Sequence, residues 1–194
     1  MKELKIEKIK KKLRHHLDKE RYEHTLGVMY TATALAMVYG IDMNRALLAG
    51  LLHDCAKCIP GEKKIRLCEK YRLPINSAER HNPGLLHSKL GAYLAEFKYG
   101  VEDKEVLDAI CYHTTGRRNM TLLDKIIYIA DYIEPNRFQA PNLEDARRMA
   151  FVDIDACLYM ILKDSLSYLE TKNEAIDPMT EKTFHYYQEE IMKK

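Results

Sequence analysis

The chain has 194 residues and a formal net charge of +2, with 46% hydrophobic and 31% charged residues. This balance is typical of a soluble globular protein that is long enough to bury one substantial core. The small net charge gives no electrostatic argument for nucleic-acid binding, and no apolar run approaches the ~18 residues of a membrane span. We therefore predict a cytoplasmic protein that binds neither nucleic acid nor membrane. A homodimer remains open at this stage.

The five cysteines lack the regular, even spacing of a disulfide framework. Cys55 and Cys58 form a Cys-x-x-Cys pattern, which also occurs in zinc half-sites and redox motifs. However, no second pair follows, and no thioredoxin-like strand pattern surrounds the first. We therefore interpret all five cysteines as reduced thiols of a cytosolic protein.

Hydrophobic residues recur at helical spacing along nearly the whole chain. In the first stretch, Ile6, Ile9 and Leu13 form an apolar face opposite a row of lysines. Asp18 is the predicted N-cap of a second helix, which runs over residues 19–39 and stops at Gly40. The other predicted helices run from a cap at Asp42 or Asn44 through Lys57, and then over 62–72, 85–99, 103–113, 121–134, 143–150, 153–172 and from 179 onward. Residues 76–84 are predicted to be turns.

The sequence contains no period-2 alternation long enough for a convincing strand, and no hairpin dipeptide. The predicted fold class is therefore all-α. We expect a single domain over residues 1–194, with a motif core at about 19–137 and C-terminal helices at about 143–192.

Histidines and aspartates lie where the predicted helices should be buried. His53 and Asp54 close a run rich in Leu and Ala, and Asp131 lies in an apolar helix. Burying such groups without partners costs several kcal/mol, and a divalent metal ion compensates because imidazole and carboxylate are both ligands of first-row metals. The plainer alternative is that each residue is capped, hydrogen-bonded or exposed. Three further predicted helices carry His24, His87 and His113. Because five separate helices each carry such a residue, we favour a metal site over the plainer alternative.

The order of these residues resembles the HD-domain metal-dependent phosphohydrolase superfamily, whose pattern His … His-Asp … Asp matches His24, His53-Asp54 and Asp131. Within it, the chain is similar to the YqeK family of symmetrical bis(5′-nucleosyl)-tetraphosphatases. The motifs that carry the resemblance are Arg21-Tyr22-Glu23-His24, Leu51-Leu52-His53-Asp54-x-Ala56-Lys57, His87-Ser88, His113-Thr114-Thr115-Gly116 and Ala130-Asp131-Tyr132-Ile133-Glu134-Pro135-x-Arg137.

The resemblance implies a catalytic metal ion held by His24, His53, Asp54 and Asp131. Asp54 has a second oxygen that can bridge to another ion. His87 and His113 are then either ligands of that second ion or residues that bind substrate phosphate directly. These ligand types suit iron, manganese and zinc about equally, and the resemblance favours iron. Both one ion and two ions remain open.

A polyphosphate substrate also needs cationic and hydrogen-bonding side chains. Arg21 lies on the same helix face as a predicted ligand, and Lys57 follows Asp54 by one helical turn. Arg137 is the favoured phosphate clamp, because a guanidinium binds phosphate through two parallel hydrogen bonds; its alternative role is a surface salt bridge. Thr114 can donate a further hydrogen bond to phosphate.

The resemblance implies a hydrolase that splits diadenosine tetraphosphate into two ADP. One rival is another HD phosphohydrolase activity, on a nucleoside monophosphate or a cyclic dinucleotide, although the Gly-Tyr-Pro signature of the cyclic-dinucleotide branch is absent. A second rival is a non-catalytic HD-like module that only binds a ligand or partner. Such a module is expected to lack several metal ligands, and all of them are present here.

Overall fold

The computed structural model describes residues 2–172 and 176–193, with side chains from residue 5 onward, and it contains no strand in those ranges. The all-α prediction is confirmed. A short 3-10 turn at Pro83–Leu85 leads into the helix at Leu86–Phe97. The helices are α1 (Lys2–His16), α2 (Lys19–Tyr39), α3 (Met43–Leu52), α4 (Gly61–Lys70), α5 (Ser77–His81), α6 (Leu86–Phe97), α7 (Lys104–Tyr112), α8 (Leu122–Ile133), α9 (Leu143–Met149), α10 (Ile154–Thr171) and α11 (Pro178–Met192). None of the described helices is long and apolar enough to span a membrane.

Side-chain caps set most of the helix N-termini. Asp18 accepts a hydrogen bond from the Arg21 backbone N–H at 2.7 Å and starts α2, and Gly40 ends it in the left-handed conformation at φ 69°. Thr121 starts α8 through a capping box that it shares with Asp124. The predicted bounds of the second helix are confirmed to the residue.

The predicted extension of the third helix through Lys57 is wrong, because α3 ends at Leu52 and residues 53–58 form tight turns. The end of α3 coincides with a side-chain hydrogen bond to its last turn. The His53 ring donates to the Gly50 carbonyl at 2.7 Å, and the chain continues with i→i−3 bonds such as Cys55 N–H to Leu52 O at 3.1 Å. The prediction of turns over residues 76–84 is also incomplete, since Asn76 caps the short helix α5.

Helix α8 lies at the centre of the bundle and packs against α2, α7 and α10. Its side chains Ile126, Ile127 and Ile129 are fully buried. Helix α2 also packs along α3, and Gly50 allows this close approach because a Cβ there would lie 2.9 Å from the Met29 Cα. The backbones of α2 and α3 are therefore in close contact at this position.

We expect Gly50→Ala to destabilise the protein, because the new methyl group would meet backbone atoms of α2 that can move only if the helices separate. Overpacking of this kind costs about 1–3 kcal/mol, which exceeds the ~1 kcal/mol that alanine gains over glycine in helix propensity. Urea unfolding measures the difference in the free energy of unfolding between the variant and the unmodified protein.

Gly91→Ala is the matched control for this substitution, because Gly91 is also a buried helical glycine. A Cβ at Gly91 would approach no atom closer than 3.4 Å. This variant should keep or slightly raise the free energy of unfolding. Equal stability of the two variants would contradict the packing argument.

Candidate metal centre

Four histidines and two aspartates from five segments meet in the interior of the bundle. The side chains of His24, His53, Asp54, His87 and His113 are buried, and that of Asp131 is 21% exposed. His24 lies on α2, His87 at the start of α6 and Asp131 on α8, while the others directly follow α3 and α7. The structure thus brings together the four predicted metal ligands and the two histidines predicted to bind either a second ion or substrate phosphate.

Three of the histidines are held by the same local device. Nδ1 of His53, His87 and His113 lies 2.7 Å from the carbonyl oxygen of the residue three positions earlier, namely Gly50, Gly84 and Ile110. Because a carbonyl can only accept a hydrogen bond, each Nδ1 carries the proton. The lone pair on each Nε2 is therefore directed toward the centre.

His24 is oriented by a carboxylate instead of a backbone carbonyl. Its Nδ1 lies 3.0 Å from Oε1 of Glu134, which is 1% exposed at the C-terminal end of α8. Nε2 of His24 then lies 3.0 Å from Oδ1 of Asp131 and 3.3 Å from Nε2 of His53.

The donor atoms form two adjoining clusters that share Asp54. The first cluster contains His24, His53, Asp131 and Oδ2 of Asp54, which lies 3.8 Å from His24 Nε2 and 3.5 Å from His53 Nε2. The second contains Oδ1 of Asp54, 3.1 Å from His87 Nε2 and 3.6 Å from His113 Nε2. Ligands bound at about 2.0–2.2 Å to one ion lie roughly 3–3.5 Å apart, so both clusters are near metal-binding dimensions.

A polar atom without a partner supports this interpretation. Oδ1 of Asp54 is buried and accepts no hydrogen bond within the described part of the chain, although two imidazole nitrogens face it. Those nitrogens present lone pairs that repel the carboxylate oxygen, and the Lys57 ammonium, 3.8 Å from Oδ1, is beyond hydrogen-bond distance of it. The residues present therefore fit a divalent metal ion.

The ionisation of His87 matches a ligand rather than a cationic anchor. Burial lowers the pKa of His87 to about 4 despite the opposing charge of Asp54, so this ring is neutral near pH 7. Burial acts to raise the pKa of Asp54, but the electrostatic effect of the adjacent His53 outweighs it, and the pKa lies well below its usual value. Despite desolvation, the pKa of Asp131 also lies well below its usual value, chiefly because of the adjacent His24 imidazole.

Two of the predicted substrate residues contact the carboxylates themselves. Arg21 donates to Oδ2 of Asp54 at 2.8 Å. Arg137 donates through Nη2 to Oδ1 of Asp131 at 2.9 Å and through Nε to the Asp131 carbonyl at 3.1 Å. The salt-bridge alternative for Arg137 is thus present in the structure, but at the rim of the metal centre, with the side chain 42% exposed.

Lys57 and Thr114, the other two predicted substrate residues, lie beside the second cluster. Nζ of Lys57 and Oγ1 of Thr114 are each 3.2 Å from Nε2 of His87. The Lys57 side chain is 36% exposed, so its ammonium group is accessible to solvent. All four predicted substrate residues therefore contact a metal-ligand side chain.

The HD domain family model matches residues 21–136, which is more than half of the chain. The chain belongs to the HD-domain family. The expectation from the sequence motifs is confirmed, and the match covers all six candidate ligands of this HD domain.

Several named proteins are similar in sequence to this chain over nearly its whole length. A Bacillus subtilis protein named "Bis(5'-nucleosyl)-tetraphosphatase, symmetrical" is 41% identical over 90% of this chain and 92% of its own length. A Staphylococcus aureus protein of the same name is 39% identical over 94% of both chains. The crystal structure of a predicted HD superfamily hydrolase involved in NAD metabolism from Clostridium acetobutylicum superimposes with a TM-score of 0.91 at 40% identity, covering 95% of this chain and 97% of that one.

The sequence analysis missed two residues that support the HD-domain site, Glu134 and Arg147. Arg147 on α9 donates through Nε to the Ile133 carbonyl at 2.9 Å, and through Nη2 to the carbonyls of Glu134 at 2.9 Å and Arg137 at 3.0 Å. It thereby fixes the segment that carries Arg137. The Glu-Pro end of the α8 motif was a visible signal for Glu134, whereas nothing in the sequence indicated the role of Arg147.

The cysteines of the Cys-x-x-Cys pattern do not join the site. Cys55 is buried and donates to the Gly91 carbonyl at 3.5 Å, and burial raises its pKa to about 12. Cys58 is exposed as a residue and donates to Asp18, and the partial desolvation of its thiol group also raises its pKa. Raised pKa values disfavour the thiolates that redox chemistry and metal binding require.

We predict a graded loss of metal from ligand variants. Asp54→Ala removes a donor from both clusters and should abolish binding, Asp131→Ala should empty the first cluster, and His87→Ala should affect the second. The metal affinity of each affected site should fall by more than about 100-fold, since loss of an outer-sphere partner alone lowers metal affinity 10- to 100-fold. Elemental analysis of metal per chain is the measurement.

His15→Ala and His185→Ala are the controls for metal content, because both histidines are exposed and lie outside the clusters. They should leave the metal content unchanged. Near-normal metal in either aspartate variant would show that the ligand at that position is assigned wrongly.

We also predict that Arg147→Ala loosens the segment at residues 133–137. The variant loses charged hydrogen bonds to three carbonyls, each worth about 1.5–3 kcal/mol, and backbone amides there should exchange faster with deuterium. Arg148→Ala is the control, since its side chain is 75% exposed and pairs only with its neighbour Asp145 within the described residues. Unchanged exchange in the Arg147 variant would refute this role.

Proposed function

We propose that this protein hydrolyses dinucleoside tetraphosphates, such as diadenosine tetraphosphate, symmetrically to two nucleoside diphosphates. One combined observation carries the proposal. The donor residues of the HD-domain pattern are all present in a chain that is 41% identical, over 90% of this chain and 92% of the relative, to a protein named as a symmetrical bis(5′-nucleosyl)-tetraphosphatase. A non-catalytic module would not require every donor.

The first ion is held in this proposal by His24, His53, Asp54 and Asp131. The Nε2 atoms of the two histidines lie 3.0–3.9 Å from the oxygen atoms of the two carboxylates. When bound, a divalent ion makes water available as hydroxide near neutral pH and withdraws charge from the phosphorus under attack. Iron is our proposed ion on the strength of the family resemblance, while the donor types also admit manganese and zinc.

A second position lies between Oδ1 of Asp54, His87 and His113. Two observations support it: Oδ1 has no hydrogen-bond partner in the described chain, and the low pKa of His87 makes this ring neutral. A neutral imidazole offers a lone pair and lacks the charge that would grip phosphate. We therefore favour the second-ion role for His87 and His113 over direct phosphate binding.

The phosphate chain is bound in this proposal by cationic side chains around the ions. Arg21 and Arg137 each donate to a ligand carboxylate and are partly exposed, so they both orient the ligands and face incoming phosphate. Nη1 of Arg137 has no partner among the described residues. Lys57 and Thr114 border the second position and can turn their donors to phosphate oxygens. These groups hold one diphosphate while the other leaves as ADP.

The products of diadenosine tetraphosphate test the proposal. Attack of water on an inner phosphorus gives two ADP, whereas attack on an outer phosphorus gives AMP and ATP. We expect ADP alone at an early time point, resolved by chromatography before secondary hydrolysis. In oxygen-18 water, one of the two ADP molecules per turnover should carry the label.

Different outcomes separate the alternatives. AMP and ATP in equal amounts would reject symmetrical cleavage while leaving a metal-dependent hydrolase. No cleavage by protein with its metal sites filled would reject this substrate class and favour another HD phosphohydrolase activity on nucleotides. The Arg148→Ala variant, altered at an exposed surface residue, serves as the activity control.

A further inference from the structure

Glu134 is a buried acidic residue outside the metal-ligand set, and both of its carboxylate oxygens accept hydrogen bonds. Oε1 lies 3.0 Å from Nδ1 of His24, and Oε2 accepts the backbone N–H of Asn136 at 2.8 Å. The side chain is 1% exposed. A glutamine would offer only one acceptor oxygen, so it could satisfy only one of these two donors.

This arrangement distinguishes His24 from the other histidines of the centre. His53, His87 and His113 each donate to a neutral backbone carbonyl, whereas His24 donates to a carboxylate. A negative charge on the far side of an imidazole increases the electron density at the nitrogen that faces the metal and fixes the ring orientation.

Helix α2 provides space for the Glu134 carboxylate at a glycine. Gly27 lies one helical turn after His24, and a Cβ at that position would stand 2.2 Å from Oε2 of Glu134 and 3.0 Å from its carboxyl carbon. Any side chain at Gly27 would therefore displace the carboxylate. The glycine is needed here for the close approach of Glu134 and not for its backbone conformation.

The second oxygen connects the centre to the substrate side. By binding the Asn136 N–H, it holds the turn after α8, whose Arg137 N–H also bonds to the Glu134 carbonyl at 3.0 Å. Arg137 then reaches back to Oδ1 of Asp131, the atom that lies 3.0 Å from His24 Nε2. One carboxylate thus contacts both the first-cluster histidine and the segment that carries the phosphate clamp.

We propose that Glu134 is a positioning residue that orients His24 toward the metal ion and fixes the turn that carries Arg137 relative to His24. The Glu134 carboxylate occupies a pocket that exists only because residue 27 is glycine. The inference rests on the proposed metal-dependent function, but metal binding tests it without requiring turnover.

The experiment measures the affinity of the metal-free chain for Mn²⁺ alone, by chelator competition, under conditions where circular dichroism shows each variant folded. Glu134→Ala and Glu134→Gln should weaken binding at the tighter site by about 10- to 100-fold, as loss of outer-sphere partners does. Gly27→Ala should weaken it similarly without removing any charge, because the methyl group displaces the carboxylate.

A double-mutant cycle separates this role from general destabilisation. In the Glu134→Ala background, Gly27→Ala should cause no further loss, since the two atoms that its methyl group would meet most closely are gone and the remaining Cβ lies at an ordinary contact distance of 3.4 Å. Glu79→Gln is the matched control: Glu79 is also a buried carboxylate that accepts a backbone N–H, from Asn76 at 2.8 Å, but it pairs with Lys89 outside the centre. It should change stability and leave Mn²⁺ affinity unaltered.

Three results would overturn the proposal. These are wild-type Mn²⁺ affinity in both Glu134 variants, additive effects of Gly27→Ala and Glu134→Ala, or an equal loss of affinity in Glu79→Gln. Absence of Mn²⁺ binding by the unmodified chain would overturn it together with the metal centre. Normal Mn²⁺ binding without tetraphosphate cleavage would reject the proposed substrate alone and leave the role of Glu134 standing.

Discussion

The buried carboxylate of Asp54 is the group around which the rest of the site is arranged. Its pKa lies well below its usual value, so it remains ionised in the interior, where an unpaired charge is strongly disfavoured. Arg21 satisfies one oxygen, whereas the other accepts no hydrogen bond within the described chain. The two oxygens therefore divide the surrounding imidazoles into two clusters, and the unsatisfied one is the strongest physical argument that a cation belongs there.

Backbone geometry explains how rigid helices can direct several histidine side chains toward one site. His53 takes the carbonyl of Gly50, and Gly50 is also the residue that lets α3 approach the backbone of Met29 on α2. One glycine thus contributes both to the orientation of His53 and to the closeness of the helix that carries His24. The 3.3 Å between the two Nε2 atoms is a consequence of helix packing as much as of side-chain choice.

Much of this structure could be predicted from the sequence because its signals are local. Asp18 and Gly40 mark the ends of α2 through capping chemistry, and the ordered histidines and aspartates indicated the candidate ligands that the structure brings together. The end of α3 at Leu52 could not be predicted in this way, since the segment up to Lys57 is compatible with a helix and a tertiary requirement for the His53 ring overrides it. The role of Glu134 likewise depends on a contact across 110 residues of sequence.

Arg147 shows why the region beyond the family match matters for the site. The HD-domain match ends at residue 136, and α9 lies beyond it and carries none of the candidate ligands. Arg147 nevertheless binds the carbonyls of Ile133, Glu134 and Arg137. Because every chain segment offers carbonyls, such contacts leave no pattern in the sequence of the segment they bind. The position of the phosphate clamp therefore depends on a residue that no motif could reveal, and the C-terminal helices are part of the proposed active site's support.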